Sequence, residues 1–233
     1  DTVEELRAGL QLTDKQMKQD KIEVQKYRAL YLDAQLKENP VVSAVKDKSF
    51  KSLVRNMKTI EDNDFEVPES LDKVLREYQK RGFLWIKTLN YNGFGGILAD
   101  DMGLGKTVQM LSIVAGYVEQ ESQRRTSIVI CPSSLTLNWQ NEAQKFTNGL
   151  QTLVIRGNAE ERRELIQKID NYDIIITSYD LLKRDIDVYK ERKYQFRFAI
   201  TDEAQYLKNS NTQNAKACLL YTSDAADDGE SVD

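Results

Sequence analysis

GGILADDMGLGKTVQM, residues 95–110, decides how the chain is read. An apolar run (95–99) leads into two acids, two glycines one residue apart, a lysine, a threonine and an amphipathic segment. Strand, glycine loop and helix in that order form the setting in which a loop wraps a phosphate. Gly103 and Gly105 let backbone N–H groups turn inward, and the helix start adds partial positive charge. In such a loop Lys106 reaches the terminal phosphates and the Thr107 hydroxyl ligates Mg2+. The strict G-x-x-x-x-G-K-T pattern fails at its first position, where Asp100 stands. A chance Gly-Leu-Gly turn before a helix has the same short core, so the surrounding chain has to decide.

Downstream, short apolar runs alternate with helical patterns: TSIVIC (126–131), QTLVI (151–155), DIIITS (173–178) and FRFAI (196–200). Between them lie amphipathic segments such as SLTLNWQNEAQKF, and ahead of them LDKVLREYQKRGFLWIKTLN (71–90) carries a helical stripe. Buried strands separated by helices predict an α/β fold, a parallel sheet covered on both faces. Ligands of such sheets sit at the carboxyl ends of the strands. The last run ends in TDEAQ (201–205), where Asp202 can hold Mg2+ through water and Glu203 can polarise the water that attacks a γ-phosphate. Taken alone, the acid pair reads sooner as a solvated helix cap. With the upstream loop it reads as nucleotide hydrolysis.

Composition narrows the chemistry further. The absence of histidine removes imidazole acid–base catalysis and most zinc-site designs. Two cysteines, Cys131 and Cys218, are too few for a disulfide framework and fit a reducing cytosol. No apolar run reaches membrane-spanning length, so no membrane partner is expected. The chain starts at Asp1 without a signal-like segment, which reads as a piece cut from something longer. Residues 1–64 hold 12 basic and 12 acidic residues and read as helices. One apolar stripe is Tyr27, Leu30, Tyr31, Ala34 and Leu36, and another is Phe50, Leu53, Val54, Met57 and Ile60. That region reads as a packing or interaction module for a protein partner, with a boundary at EDNDFEVPES (61–70).

LADDMGLGKT, DEAQ, LREYQKRGFLWI, VICPSSLTLNW and IITSYDLLKRDI resemble motifs I, II, Q, Ia and Ib of the Snf2 family, in the right order from about Leu71 to Ala217. These are ATP-driven double-stranded DNA translocases of helicase superfamily 2, and their loops commonly carry an acid at the position of Asp100. Residues 1–70 resemble the helical region before the motor in bacterial members. The resemblance implies a RecA-like motor lobe over 65–217 and a helical region over 1–64. It implies ATP and Mg2+ as ligands, duplex DNA backbone as partner, and a cytoplasmic, nucleoid-associated setting.

Residue by residue, it places Gln79 on the adenine edge and Asp101, Met102, Gly103, Leu104, Gly105, Lys106 and Thr107 around the phosphates and Mg2+. Asp202 and Glu203 become the hydrolytic pair, and Gln205 a coupling residue facing the second lobe. Ser133, Ser134, Thr177 and Ser178 match DNA-backbone contacts, since small hydroxyls and N–H groups at strand tips bind phosphates without reading bases. Lys183 and Arg184 either add salt-dependent attraction or form a solvated face. Trp139 and Cys131 read as core. Two readings stay beside this one: a lobe of another superfamily 2 helicase, and a nucleotide-gated binding module.

The family pattern stops at Ala217. In the family a second lobe supplies arginines to the γ-phosphate, so this stretch alone is expected to hydrolyse ATP barely. Residues 218–233, CLLYTSDAADDGESVD, hold five acids and no base. They resemble the transposase sequencing adapter translated in one frame, and are set aside from the fold as a scar would be. Without them 33 basic residues face 32 acidic ones, and the net charge changes from −4 to +1. The source nucleotides over 218–227 are predicted to read TGT CTC TTA TAC ACA TCT GAC GCT GCC GAC; different codons, read by resequencing, contradict the adapter origin.

Overall fold

The structure, a computed structural model, describes residues 26–38, 44–58, 65–121, 125–209 and 212–218. Ile60, part of the 61–70 boundary and the tail beyond Cys218 lie outside them. The described residues fall into two compact units divided at Phe65 and Glu66, with Leu84–Gly96 grouped with the first.

In the first unit α1 (Ala29–Glu38) packs on α2 (Lys48–Lys58). The expected α1 stripe is not the buried one: Tyr27, Tyr31 and Ala34 are exposed, and Ala29 and Asp33 are buried instead. Two cations permit this, because Asp33 is paired with Lys46 at 2.6 Å and Lys37 at 3.2 Å. A buried acid is tolerated only when paired. In α2 the expected face holds, with Val54 buried and Phe50, Leu53 and Met57 half-buried.

In the second unit β1 (Ser127–Cys131), β2 (Thr152–Val154), β3 (Ile174–Ser178) and β4 (Ala199–Thr201) form one parallel sheet in the order β2-β3-β1-β4. Every residue of the two central strands is buried, as a sheet covered on both faces requires. The crossovers are α6 (Thr136–Phe146), α7 (Ala159–Ile166) and α8 (Tyr179–Glu191). Ile128, Ile130 and Ile175 pack with Ile166 of α7 and with Leu182 and Tyr189 of α8 in one core. The 71–90 stripe divides into a short α3 (Glu69–Asp72) and a long α4 (Glu77–Tyr91).

One expected strand is missing. Residues 95–99 form no strand, and Ile97 is 80% exposed. A strand exists through its partner's hydrogen bonds, and among the described residues β4 pairs only with β1. The helix that follows, α5 (Lys106–Gln120), forms as expected, with its middle turns buried. It packs closely on α4 at Gly82, where any Cβ would collide with Gln109 Oε1.

A buried ion pair fastens α7 to α8. Arg162 donates from Nε to Asp185 Oδ2 at 2.7 Å and from Nη2 to Oδ1 at 2.8 Å, and Nη1 donates to Gly157 O at 2.9 Å. Both side chains are nearly sealed from water, so removing one partner strands the other charge. Asp185→Ala is predicted to lower unfolding free energy by about 3 kcal/mol in urea titration; a loss under about 1 kcal/mol contradicts a buried, charged Arg162.

Candidate active site

The phosphate loop is built by the residues that precede α5. Gly103 (φ 86°) and Gly105 (φ 77°) both lie in the left-handed region. At Gly105 a Cβ would stand 2.5 Å from Gln79 Nε2 and 3.0 Å from Val108 Cγ1, so the position needs glycine twice over. No side chain caps the start of α5, which leaves its first N–H groups free to meet an anion.

The loop is tied down from α4. Gln79, buried, donates from Nε2 to Leu104 O at 3.0 Å and accepts the Arg76 N–H at 2.9 Å. Tyr78 Oη donates to the same Leu104 carbonyl at 3.0 Å. Lys106 Nζ donates to Asp100 O (2.7 Å) and Asp101 O (3.1 Å), and Gln109 Nε2 donates to Asp100 Oδ2 at 2.9 Å. Asp101, Met102, Gly103 and Leu104 are exposed, and Thr107 is half-buried. Asp100, the departure from the strict pattern, is therefore an anchor of the loop.

The acid pair stands at the tip of β4. Four hydrogen bonds converge on Asp202. Its N–H donates to Ile130 O (2.9 Å), and its carbonyl accepts Tyr179 Oη–H (2.7 Å). Its Oδ2 accepts Trp139 Nε1–H and its Oδ1 accepts the Glu203 N–H, each at 2.9 Å. Glu203 is exposed in a left-handed conformation (φ 55°), and its carboxylate accepts from Gln205 Nε2. A non-glycine residue held there carries strain of about 1 kcal/mol. Tyr206, in the turn Ala204–Leu207, stacks on Tyr179 with centroids 5.4 Å apart.

The helix after the loop is anchored near the amino end of the sheet and is long enough to span it. α5 ends at Gln120 and β1 begins at Ser127, so the last turn of α5 is at the amino end. There Tyr117 meets Phe198 edge-on at 5.7 Å, just before β4. From Tyr117 back to Lys106 is roughly 16 Å of helix, and from Phe198 to Asp202 about 13 Å of strand. Asp202 therefore ends at the carboxyl edge, where ligands of such sheets sit, and α5 is long enough to return Lys106 toward that edge.

The residues matched to DNA contacts divide. Ser133 and Ser134 are exposed on the turn Ser133–Leu135 after β1. Thr177 and Ser178 are buried, and Ser178 Oγ accepts the Leu181 N–H as the cap of α8. Lys183 lies beside Asp180 at 3.4 Å. Trp139 and Cys131 are core, yet the Trp139 N–H reaches the site. The sequence held one signal for that, since a buried indole N–H requires an acceptor. Tyr78 and Tyr179 had no such signal.

Among the described residues no three His, Cys, Asp or Glu side chains gather to hold a metal. No helix among them is long and apolar enough to cross a membrane.

A parallel sheet with a glycine loop and an acid pair at its carboxyl edge is a RecA-like lobe. Residues 78–225 match the model of the SNF2-related domain, and residues 1–68 match the bacterial SNF2 helicase associated model. The chain belongs to the SNF2-related family. An uncharacterized ATP-dependent helicase of Mycoplasma genitalium is 37% identical over 163 residues, 69% of this chain and 16% of the relative. The TATA-binding protein-associated factor MOT1 of Saccharomyces cerevisiae is 36% identical over 169 residues, 68% of this chain and 9% of its own. The solved Sulfolobus solfataricus SWI2/SNF2 ATPase core in complex with dsDNA is 37% identical, with a TM-score of 0.57 over 66% of this chain and 31% of that one. This chain thus spans under a fifth of those two relatives' length. The family match also runs into the stretch 218–233, and Cys218 is buried.

Burial, and then the nearby Asp202 charge, push the Cys131 thiol up to about 12. Burial pushes Cys218 up to about 11, and burial with the Asp170 hydrogen bond pushes Tyr194 up to about 12. Each group stays protonated in the folded chain where the unfolded chain has lost its proton. Their stabilisation is whole below pH 9 and declines as pH rises from 9 to 12. Urea midpoints are predicted to fall as pH rises from about 9 to about 12, the window between these unfolded and folded values. A flat or rising profile contradicts the burial of these groups.

Proposed function

We propose that the chain is the ATP-binding lobe of a Snf2-type, DNA-dependent ATPase, and that the whole protein moves along duplex DNA. What supports this is the glycine loop closed ahead of α5 and the acid pair at the tip of β4, in a chain whose family is SNF2-related. The double-stranded DNA bound to the Sulfolobus core supports the choice of partner. Residues 1–64 are the helical module before the lobe, residues 65–217 the lobe itself, and residues 218–233 adapter-derived.

The loop receives the phosphates of ATP on the N–H groups at the start of α5. Lys106, now on two loop carbonyls, turns its ammonium to the terminal phosphates, and Gln79 meets the adenine edge. Thr107 and Asp202 offer one hydroxyl and one carboxylate. That donor set suits Mg2+, which keeps several waters and is held by one or two carboxylates plus substrate phosphates. Mg2+, when bound there, neutralises charge on the phosphate oxygens. Glu203 orients the attacking water and takes its proton as the bond from the γ-phosphorus to the ADP oxygen breaks. Gln205 then carries the state of Glu203 to a facing lobe of the longer protein. Ser133 and Ser134 offer hydroxyls to the DNA backbone, while Thr177 and Ser178 contribute through the strand end and helix start they build.

Lys106→Ala is predicted to weaken binding of a fluorescent ATP analogue by at least about ten-fold, some 1.4 kcal/mol, measured by fluorescence titration of the 233-residue chain. Unchanged affinity overturns the phosphate-loop assignment. In the whole gene product, duplex-stimulated ATP hydrolysis without strand displacement supports the translocase; strand displacement favours another superfamily 2 branch.

A further inference from the structure

The site holds a residue with no assigned part in it. Trp139, 3% exposed in α6, donates its indole N–H to Asp202 Oδ2 at 2.9 Å across 63 residues of sequence. Indole is a donor only and does not titrate, so the donor side of this bond does not change with pH. The second carboxylate oxygen is held by the Glu203 N–H, and the carbonyl by Tyr179. Each oxygen still has a lone-pair direction to spare.

We propose that Trp139 is a positioning residue for the metal-holding carboxylate of Asp202. Its N–H fixes the carboxylate rotamer, so the remaining lone pairs face the carboxyl edge before any ligand arrives. Outer partners of this kind orient metal-holding groups and tune their affinity. The proposal rests on the nucleotide-site reading of Asp202. A ring that only filled the core is replaceable by an isostere of the same shape without the N–H, so the two roles separate on the N–H alone.

The test uses the full 233-residue chain, Mn2+ and a fluorescent ATP analogue. Trp139→Phe is expected to leave analogue binding in chelator unchanged and to raise the Mn2+ midpoint for tightened binding about ten-fold. Added to Asp202→Asn, it is expected to change that midpoint no further. If Trp139→Phe folds poorly, benzothienylalanine at position 139 keeps the bicyclic shape without the N–H and is expected to give the same shift. An unaltered Mn2+ midpoint in either variant, alongside a large shift in Asp202→Asn, overturns the positioning role and leaves the site intact. A wild-type chain indifferent to Mn2+, or an Asp202→Asn chain identical to it, overturns the site reading and the positioning role with it.

Discussion

Everything at the site depends on the strands being parallel and sealed on both faces. β1 and β3 pair residue for residue from Ser127 with Ile174 to Cys131 with Ser178. Each crossover helix returns the chain to the amino edge, so every strand ends at the same carboxyl edge. That constraint brings Ser133 after β1, the α8 cap after β3 and Asp202 after β4 to one edge. Exposing either central strand to water would undo all three placements at once.

At that edge, the hydrogen bonds make two rigid supports and leave the chemical groups less constrained. The loop is held by Tyr78, Gln79 and Gln109, and Asp202 by Trp139, Tyr179 and two backbone groups. Lys106 rests on carbonyls of its own loop, and Glu203 on Gln205. A ligand at the loop has to draw Lys106 from neutral acceptors to charged ones, an exchange that favours the phosphate because it adds attraction between opposite charges to bonds the ammonium donates in either case. Gln79 has both ends engaged, so meeting adenine costs it a bond to the loop or to Arg76, just ahead of α4.

Much of this was legible in the sequence because it is local. Gly103, Gly105 and Lys106 declare a loop by spacing alone, and the isoleucines of DIIITS declare a buried strand. The reading failed where partners decide. GGILA has strand composition but no strand beside it, and α1 buries Asp33 because Lys46 reaches it from outside the helix. Thr177 and Ser178 look like exposed hydroxyls until β3 is seen to be central. The Trp139–Asp202 bond joins α6 to the tip of β4, and no local pattern encodes such a pairing.

The central claim is that the loop and Asp202 form one site. The indole N–H of Trp139 reports on it directly, because it is bonded to Asp202 and gives a separate NMR resonance, assigned through Trp85→Phe. Titrating Mn2+ with a non-hydrolysable ATP analogue is predicted to broaden that resonance at substoichiometric metal, and Lys106→Ala is predicted to prevent the broadening. A Trp139 signal that stays sharp while the analogue binds would place the nucleotide away from Asp202 and contradict the account.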